Sequence, residues 1–478
     1  MAGRLRRWLV GLVVIACAAG LLAAVGPTPS GRGPWQERFI TDSQGRALIL
    51  YGLDTSEDAA TSADGMPWIK QSDVSAEYNL LGTDFVRYLI SWQQIEPEPG
   101  QFNLKYLAEV AQRVSWYQQQ GYHVLLDMQQ NMYGSALGGS GAPPWATDSG
   151  GLSATPQTPW DLTYTQPAVV HAFDEFWGTR TDDPQYQQQY IATWVMVATY
   201  FAKNTAVVGY DLMNQPWGGS LQGPAFEAGP LARFYQKAID AIRTVDSAHW
   251  LFVEPEAVPT DWGLPSALPK LDDPRAGQPQ IGYAPQLYPE PLDSEGSYTG
   301  SNSFVTDREL ASWEIQVERT AERMDAPIVL GSWSANAPDP YAHLYIDKVQ
   351  TLLDQMMIGE AYWSSDPGPG SAVWTSRGKP ADLSTVIATA YPRAIAGQPV
   401  SFGYDKSTLD LNVQWTDKPG VTGSTDLYLP PSDFPGGGTI TLNSRYTSHW
   451  NPVTHILSIT VPKLPDGGVH DLDVVPTT

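Results

Sequence analysis

Residues 207–217 of the chain read Val-Val-Gly-Tyr-Asp-Leu-Met-Asn-Gln-Pro-Trp. The first six, 207–212, are mostly apolar and predict a short buried strand. Two amide side chains, Asn214 and Gln215, stand just beyond the end of that strand. The same arrangement, a short apolar run followed by polar residues, recurs along the chain, and this recurrence predicts the fold.

From about residue 35 to about residue 396, short β-rich runs alternate with amphipathic helical stretches, which predicts parallel strands joined by crossover helices. Apolar residues keep helical spacing from Leu104 to Tyr117, behind a possible cap at Asn103, and again from Leu231 to Val245. Eight runs have the character of strands: 47–53, 83–89, 122–127, 207–212, 250–254, 281–287, 328–331 and 360–364. Eight strand–helix units predict an α/β fold, a (β/α)8 TIM barrel, with its active-site residues just after the strands.

Past Gly397 the helical periodicity disappears, and short alternating runs such as 408–415, 439–442 and 455–461 lie between Gly/Pro-rich turns. This pattern predicts a small C-terminal antiparallel β-sandwich. We therefore divide the chain into an N-terminal segment (1–30), a barrel (31–396) and a sandwich domain (397–478). Within the barrel, the Gly/Ser/Thr/Pro-rich segment 134–166 predicts an extended loop over the barrel mouth.

The N-terminal segment has the features of a secretory signal peptide. Three arginines among the first seven residues precede an apolar run, 8–25, which ends at the helix-breaking stretch 26–30. The run borders on the length of a membrane span, so an uncleaved anchor that associates the protein with the membrane is the alternative. Cys17 stands in a lipoprotein-like box, which is a third interpretation. In each case we expect the body of the protein to be exported, either secreted or held at the cell surface.

The composition argues against several classes of function. Lys and Arg number 28 against 51 Asp and Glu, and a net charge of −23 repels phosphate backbones, which argues against nucleic acid as a partner. Seven histidines without metal-ligand spacing and a single cysteine predict no metal site, and no cofactor is expected. We expect a monomer.

The segments beyond the strand ends carry a specific resemblance. They read Asp127-Met-Gln-Gln-Asn131, Gly141-Ala-Pro-Pro-Trp-Ala146, Asn214-Gln-Pro-Trp217, Ala284-Pro-Gln-Leu-Tyr288 and Gly331-Ser-Trp333. In order and spacing they resemble endoglycoceramidase-type family 5 glycoside hydrolases, and the likeness extends over about residues 35–478, including the sandwich. The resemblance implies a TIM barrel and O-glycosyl hydrolase chemistry, in which two carboxyl groups flank the scissile bond.

The chain departs from that family at the titratable positions of the centre. The resemblance implies a glutamic acid/base at 215 and a glutamate nucleophile at 332, and these positions hold Gln215 and Ser332. It implies histidines at 129 and 286 and an aspartate at 131, and these positions hold Gln129, Gln286 and Asn131. Gln215 keeps the shape of glutamate but has no labile proton, a loss typically worth about 10²–10⁴-fold in rate.

The sugar-binding positions of the family are better retained. Those that hold sugar hydroxyls or stack against the ring are matched by Arg87, Asn214, Tyr288 and Trp363. A structural ion pair is the alternative for Arg87. The amides at 129, 131, 215 and 286 suit sugar hydroxyls, because an amide both donates and accepts hydrogen bonds. Loop tryptophans at 92, 145 and 217 could extend an aromatic platform for sugar faces, although most tryptophans fill cores.

These features predict an exported pseudo-glycosidase that binds a carbohydrate or a glycolipid head group without cleaving it. One alternative is an active retaining O-glycosyl hydrolase of glycolipids or β-glycans that uses relocated carboxylates; the candidates are Asp54, Asp127, Glu254, Glu256 and Asp366. Another is an inactivated variant of such an enzyme. A structural role in the cell envelope, through the sandwich domain, is also open. The acidic loop residues at 57, 58 and 64 predict a solvated face.

Overall fold

The computed structural model describes residues 38–157, 160–179, 185–294, 296–368, 370–464 and 468–477. The predicted signal peptide or anchor and the lipidation of Cys17 lie outside these residues. Within the described ranges, no helix combines the length and the apolar character that crossing a bilayer requires.

The strands and helices alternate along the first part of the chain, and the last part is built from strands. The strands are, in chain order, β1 (Ala47–Leu48), β2 (Tyr51–Asp54), β3 (Phe85–Ser91), β4 (His123–Gln129), β5 (Val207–Asp211), β6 (Trp250–Val253), β7 (Ile281–Tyr283), β8 (Val329–Trp333), β9 (Gly359–Tyr362), β10 (Trp374–Ser376), β11 (Lys379–Pro380), β12 (Tyr391–Ile395), β13 (Gln398–Asp405), β14 (Asp410–Thr416), β15 (Thr425–Tyr428), β16 (Gly438–Leu442), β17 (Thr447–Asn451), β18 (Ile456–Thr460) and β19 (Val469–Pro476). The α-helices span Asp58–Thr61, Gln71–Leu81, Trp92–Ile95, Leu104–Gln119, Pro167–Trp177, Gln185–Phe201, Pro224–Phe226, Ala232–Arg243, Glu290–Asp293, Gly300–Met324, Ala342–Met356 and Asp382–Ile387. A π-helical turn, Glu227–Leu231, precedes the helix at Ala232.

Strands β2 to β9 form one parallel sheet whose neighbours follow chain order, and β9 pairs with both β2 and β8. A parallel bridge between Tyr283 and Ile328 joins the remaining edges, so the sheet closes. The predicted (β/α)8 TIM barrel is confirmed, and each of the eight predicted runs overlaps one of its strands. The predicted cap is also present, because the Asn103 side chain accepts a hydrogen bond from the backbone N–H of Tyr106 at 3.1 Å.

Glycines on two barrel strands make room for one large side chain in the barrel interior. Phe252 of β6 is fully buried. A Cβ on Gly282 would lie 2.3 Å from its ring, and one on Gly209 would lie 3.0 Å from it. The barrel is narrow, so a ring can fill it only where the facing positions carry no side chain. The buried cluster around this ring consists of Ile40, Leu48, Leu50, Phe85, Leu125, Trp250, Phe252, Ala284, Val329, Ala361 and Ala394.

The predicted loop at 134–166 follows β4 and carries short 3₁₀ turns rather than long helices. The turns span Ser135–Leu137, Pro144–Ala146 and Trp160–Thr165. An antiparallel bridge between Asn131 and Ser140 folds the first part of the loop back on itself. The last turn brings Trp160 to the mouth of the barrel.

The C-terminal strands form two antiparallel sheets, as the alternating runs predict. One sheet has the order β1-β12-β15-β18-β17 and the other β13-β14-β19-β16. The first predicted run, 47–53, is therefore divided between two sheets: β1 pairs with β12 in the sandwich, and β2 enters the barrel. The sandwich sheet takes in residues 391–395, just ahead of the boundary expected at 397, and residues 38–478 form one compact unit. The domain boundaries themselves stay a prediction.

Candidate active site

A cavity of about 610 Å³ opens at the carboxyl ends of the barrel strands, where the fold predicts it. Nine side chains were predicted for the site, and the structure brings eight of them to the wall of this cavity. They are Gln129, Asn131, Asn214, Gln215, Gln286, Tyr288, Ser332 and Trp363. The volume lies within the usual range for a small-molecule site, roughly 300–1,000 Å³.

A chain of amides orders the floor of the cavity. The Gln215 amide donates to the Gln286 Oε1 at 3.0 Å, and the Gln286 amide donates to the Asn214 Oδ1 at 2.8 Å. The backbone N–H of Gln215 donates to a carboxylate oxygen of Glu254 at 2.8 Å. Gln215 adopts a positive φ of 45°, a conformation that side-chain-bearing residues seldom take. Tertiary contacts therefore hold the side chain at 215 in a fixed place, in which it offers an amide and no acid.

Elsewhere on the cavity wall, Ser332 near the end of β8 is paired with a phenol. Its hydroxyl lies 2.7 Å from the hydroxyl of Tyr288. Asp54 is a buried neighbour of this pair, and burial raises the pKa of its carboxyl to about 7, against the opposing effect of Arg87 and a smaller one of Ser332. Burial also raises the pKa of Tyr288 well above its usual value, so this phenol stays protonated at neutral pH. The pair is a neutral hydrogen-bonding group.

Arg87 is the ninth predicted residue, and the structure places it away from the cavity wall, as a buried ion-pair partner. Its side chain is 1% exposed. The guanidinium contacts four carboxylates at 3.3, 2.9, 3.0 and 2.7 Å, those of Asp54, Asp127, Asp211 and Glu254. It also donates to the Asn214 Oδ1 at 3.1 Å and so supports the floor from below. Its predicted contact with a sugar stays a prediction.

These four carboxyl groups outnumber the single guanidinium that they surround. Burial raises the pKa of each, and Arg87 acts in the opposite direction. Oxygens of Asp127, Asp211 and Glu254 lie close enough together to hold a metal ion. The Arg87 Nη2 lies within 3.0 Å of all three, so a guanidinium already occupies the position of a cation. The cluster therefore serves as an internal salt bridge beneath the site.

The candidates for relocated carboxylates are mostly away from the cavity. Asp54, Asp127, Glu254 and Glu256 are at most 1% exposed, and none of them lines it. Asp366 is half-buried and accepts a hydrogen bond from the backbone N–H of Glu57 at 3.1 Å.

The described residues of the cavity wall include three acids, Glu57, Asp293 and Asp339, and an aromatic side chain, Trp160, which sequence reasoning did not assign to the site. Glu57 is exposed, as the sequence predicts. The solvated surface on which it lies is the rim of the cavity. All four residues stand in loops or short turns beyond barrel strands, the one signal that could have found them. Long loops weaken that signal, because sequence distance from a strand end no longer measures spatial distance.

Of the tryptophans expected to extend an aromatic platform, Trp92 and Trp217 are buried packing residues, and Trp145 is half-buried, with its indole N–H donating to the backbone oxygen of Glu96 at 3.1 Å. Trp92 is 1% exposed and lies edge-on against the ring of Trp145 at 5.5 Å. Trp217 is buried against Tyr164 at 5.3 Å. The tryptophans on the cavity wall are Trp160 and Trp363, among the residues that the structure describes. An indole ring is stabilised more by full burial than by a partly solvated position at the cavity rim, which favours core packing.

A parallel barrel with a polar cavity at the carboxyl ends of its strands has the architecture of a barrel enzyme. Residues 41–368 match the family model described as cellulase (glycosyl hydrolase family 5), and residues 390–474 match the family 5 C-terminal domain. The chain belongs to glycosyl hydrolase family 5.

Similar proteins include endoglycoceramidases. Endoglycoceramidase I from Rhodococcus hoagii is 24% identical over 412 residues, covering 83% of this chain and 80% of that protein. The endoglycoceramidase from Cyanea nozakii is 26% identical over 267 residues, covering 49% of this chain and 51% of that protein.

Among solved structures, endo-glycoceramidase II from Rhodococcus sp. is 42% identical, with a TM-score of 0.86 over 92% of this chain and 100% of that one. The same protein has been solved in complex with ganglioside GM3 (40% identity, TM-score 0.87, 93% of this chain and 100% of that one). It has also been solved as a lactosyl-enzyme intermediate (41% identity, TM-score 0.85, 92% of this chain and 100% of that one).

Proposed function

We propose that this chain is an exported, endoglycoceramidase-like member of family 5 that binds a carbohydrate or a glycolipid head group and is catalytically impaired. The observation that carries the proposal is the presence of Gln215 and Ser332 on the wall of the cavity. The resemblance to endoglycoceramidases implies a glutamate at each of these positions.

The chemical argument rests on what these two groups can do. A retaining glycosidase needs an acid to protonate the leaving oxygen and a carboxylate to attack the anomeric carbon, with about 5–5.5 Å between them. The Gln215 side chain is an amide without an ionisable proton, and its hydrogen bond to Gln286 fixes its orientation. The Ser332 hydroxyl is shorter than a glutamate and shares its hydrogen bond with Tyr288. Both chemical roles therefore lack their usual group.

Binding needs less than catalysis, and the cavity retains what binding needs. The Gln129 Oε1 and the Asn131 Oδ1 are buried atoms without a hydrogen-bond partner among the described residues. Such acceptors favour a ligand that donates hydrogen bonds, as sugar hydroxyls do. Trp363 on the same wall offers an apolar face against which a sugar ring can stack.

Two measurements on the purified protein test this proposal. Isothermal titration with a panel of glycosphingolipid head groups and β-glucans should detect binding, and a fluorogenic β-glycoside should release no sugar. The Gln215→Glu/Ser332→Glu double variant should either regain turnover, which indicates recent loss or deliberate inactivation, or stay silent, which indicates a site that changed as a whole. Absence of binding to the whole panel, or turnover by the wild-type protein, would contradict the proposal.

The alternative of an active enzyme with a relocated carboxylate is supported by one observation. Asp54 neighbours Ser332, and burial raises the pKa of its carboxyl to about 7, which suits a general base. Its burial and its contact with Arg87 oppose that role. If the wild-type protein releases sugar with a pH dependence near 7, abolition of that release in a folded Asp54→Asn variant would support this carboxyl as the base. Unchanged turnover in Asp54→Asn would reject it.

Export is the part of the proposal that rests on residues 1–30 alone. A basic start, an apolar run and a helix-breaking end support it. Expression of the full chain, followed by fractionation and N-terminal sequencing of the product, separates a cleaved signal from a retained anchor. Recovery of the intact chain in the cytosol would contradict export.

A further inference from the structure

The charged residues on the cavity wall share one sign. Glu57, Asp293 and Asp339 line it, and the described lining residues include no Lys, Arg or His. Glu57 follows β2, Asp293 ends the short helix beyond β7, and Asp339 lies in the loop after β8. The acids therefore come from three separate loops that meet around one opening.

Local hydrogen bonds hold one of these acids in its charged form. The Asp339 carboxylate accepts bonds from the Ser297 hydroxyl and from the backbone N–H groups of Tyr298 and Tyr341, at 2.5, 2.7 and 3.0 Å. These bonds hold the pKa of Asp339 below its usual value although burial acts the other way. Beneath the floor, Arg87 is outnumbered by four carboxyl groups and so supplies no free positive charge to the cavity.

Two buried wall atoms without a partner among the described residues are acceptors, and a third, the Tyr345 hydroxyl, can donate or accept. The Gln129 side chain is 6% exposed, and its Oε1 has no partner among the described residues. The Asn131 Oδ1, on the same wall, is also buried and has no partner among the described residues. A ligand that donates hydrogen bonds satisfies the two amide oxygens, whereas a carboxylate or a sulfate brings only further acceptors to them.

We propose that the cavity selects an uncharged carbohydrate and discriminates against head groups that carry a carboxylate or a sulfate, with Glu57, Asp293 and Asp339 as the specificity-determining residues. The inference rests on the proposed function and names its ligand class. It separates this chain from the relative solved with ganglioside GM3, because a ganglioside head group carries the carboxylate of sialic acid. Like charges brought together at a partly buried site repel, and salt screens the repulsion.

The test compares matched soluble sugars, so that no lipid surface intervenes. Binding of lactose, of a neutral trisaccharide and of 3′-sialyllactose to the full chain is measured by isothermal titration at about pH 7.5 and about 0.1 M salt. We expect the sialylated sugar to bind at least about tenfold more weakly than the neutral trisaccharide, the size of one uncompensated like-charge interaction in a partly buried site. This difference in affinity should decrease at about 1 M salt, where the Debye length is only about 3 Å.

A double variant tests two of the three named acids. Glu57→Gln/Asp293→Asn removes two charges at the cavity and keeps both side-chain shapes, and the asparagine can still accept the hydrogen bond of Trp160. Its matched control, Asp240→Asn/Glu322→Gln, removes two exposed charges from barrel helices, away from the cavity wall. The Glu57→Gln/Asp293→Asn variant should reduce the difference in affinity between the neutral and the sialylated trisaccharide. The control variant should not change this difference. Circular dichroism verifies that both variants are folded.

The outcomes of these titrations distinguish failure of the inference from failure of the proposed function. Equal affinity for the neutral and the sialylated trisaccharide overturns the inference and leaves the proposed function intact. If the Glu57→Gln/Asp293→Asn variant does not change the difference in affinity between the neutral and the sialylated trisaccharide, the role of Glu57 and Asp293 is overturned. Absence of binding for all three sugars and for the wider glycan panel overturns the proposed function, and the inference falls with it.

Discussion

Replacement of Arg87 by methionine tests the idea that the floor of the cavity rests on a buried ion cluster. Methionine fills much of the same volume but leaves Asp54, Asp127, Asp211 and Glu254 without their shared cation. Breaking one buried ion pair from one side costs about 3–5 kcal/mol. Here the Arg87 Nη2 alone lies 2.7–3.0 Å from oxygens of three acids. We therefore expect a loss of about 4 kcal/mol at neutral pH, a large part of the roughly 5–15 kcal/mol that a folded domain has.

The loss should depend on pH, because the stranded carboxyls can neutralise themselves by binding protons. Burial raises their pKa values in the folded state, whereas in the unfolded chain they ionise near about 4. A group whose folded pKa is raised contributes stability at low pH, and that stability is lost as pH rises through the folded pKa. Removal of the guanidinium raises these pKa values further. The variant should therefore lie closest to the wild type at about pH 5 and be most destabilised above about pH 7.

Urea unfolding followed by tryptophan fluorescence at several pH values measures this difference. Arg113→Met is the matched control, since Arg113 donates to the Glu109 backbone oxygen of its own helix and lies over the Trp116 ring, so its loss should cost less than about 1 kcal/mol at any pH. A loss below about 1 kcal/mol in Arg87→Met, or one that does not change with pH, would refute the reasoning.

Three further predictions concern the cavity and the core. Trp363→Ala should weaken sugar binding about tenfold, as measured by titration, because a stacking face is lost. Unchanged affinity would show that Trp363 does not stack against the sugar. Phe252→Ala should cost about 3–5 kcal/mol in urea unfolding because its ring fills the barrel interior, and a cost below about 1 kcal/mol would show that the barrel collapses around the gap. Burial, together with the charges of Asp161 and Glu290, raises the pKa of Asp293 to about 7 against its hydrogen bond from Trp160. Discrimination against sialylated sugar should therefore increase between about pH 6 and about pH 8 in the wild type and not in Asp293→Asn.

The strands and the position of the site follow from local features of the sequence. A run such as 207–212 is apolar because it is buried on both faces, and this requirement is visible without knowledge of its neighbours. In a parallel barrel all strands end at the same face, so the residues just beyond them must meet. That is why eight of nine predicted side chains, Gln215 and Ser332 among them, stand on one cavity wall.

Tertiary structure alone decided what surrounds those side chains. The sequence shows Arg87 on a strand, but only the closed barrel brings four carboxyls, from four other strands or their ends, to its guanidinium and makes it a buried ion-pair partner. The run 47–53 is locally one strand, and only the approach of β12 divides it between two sheets. Asp293 and Asp339 join the cavity through loops whose paths are set by long-range packing. Local patterns determine which segments are buried and in what order; the charge around the site arises from contacts between residues distant in the chain.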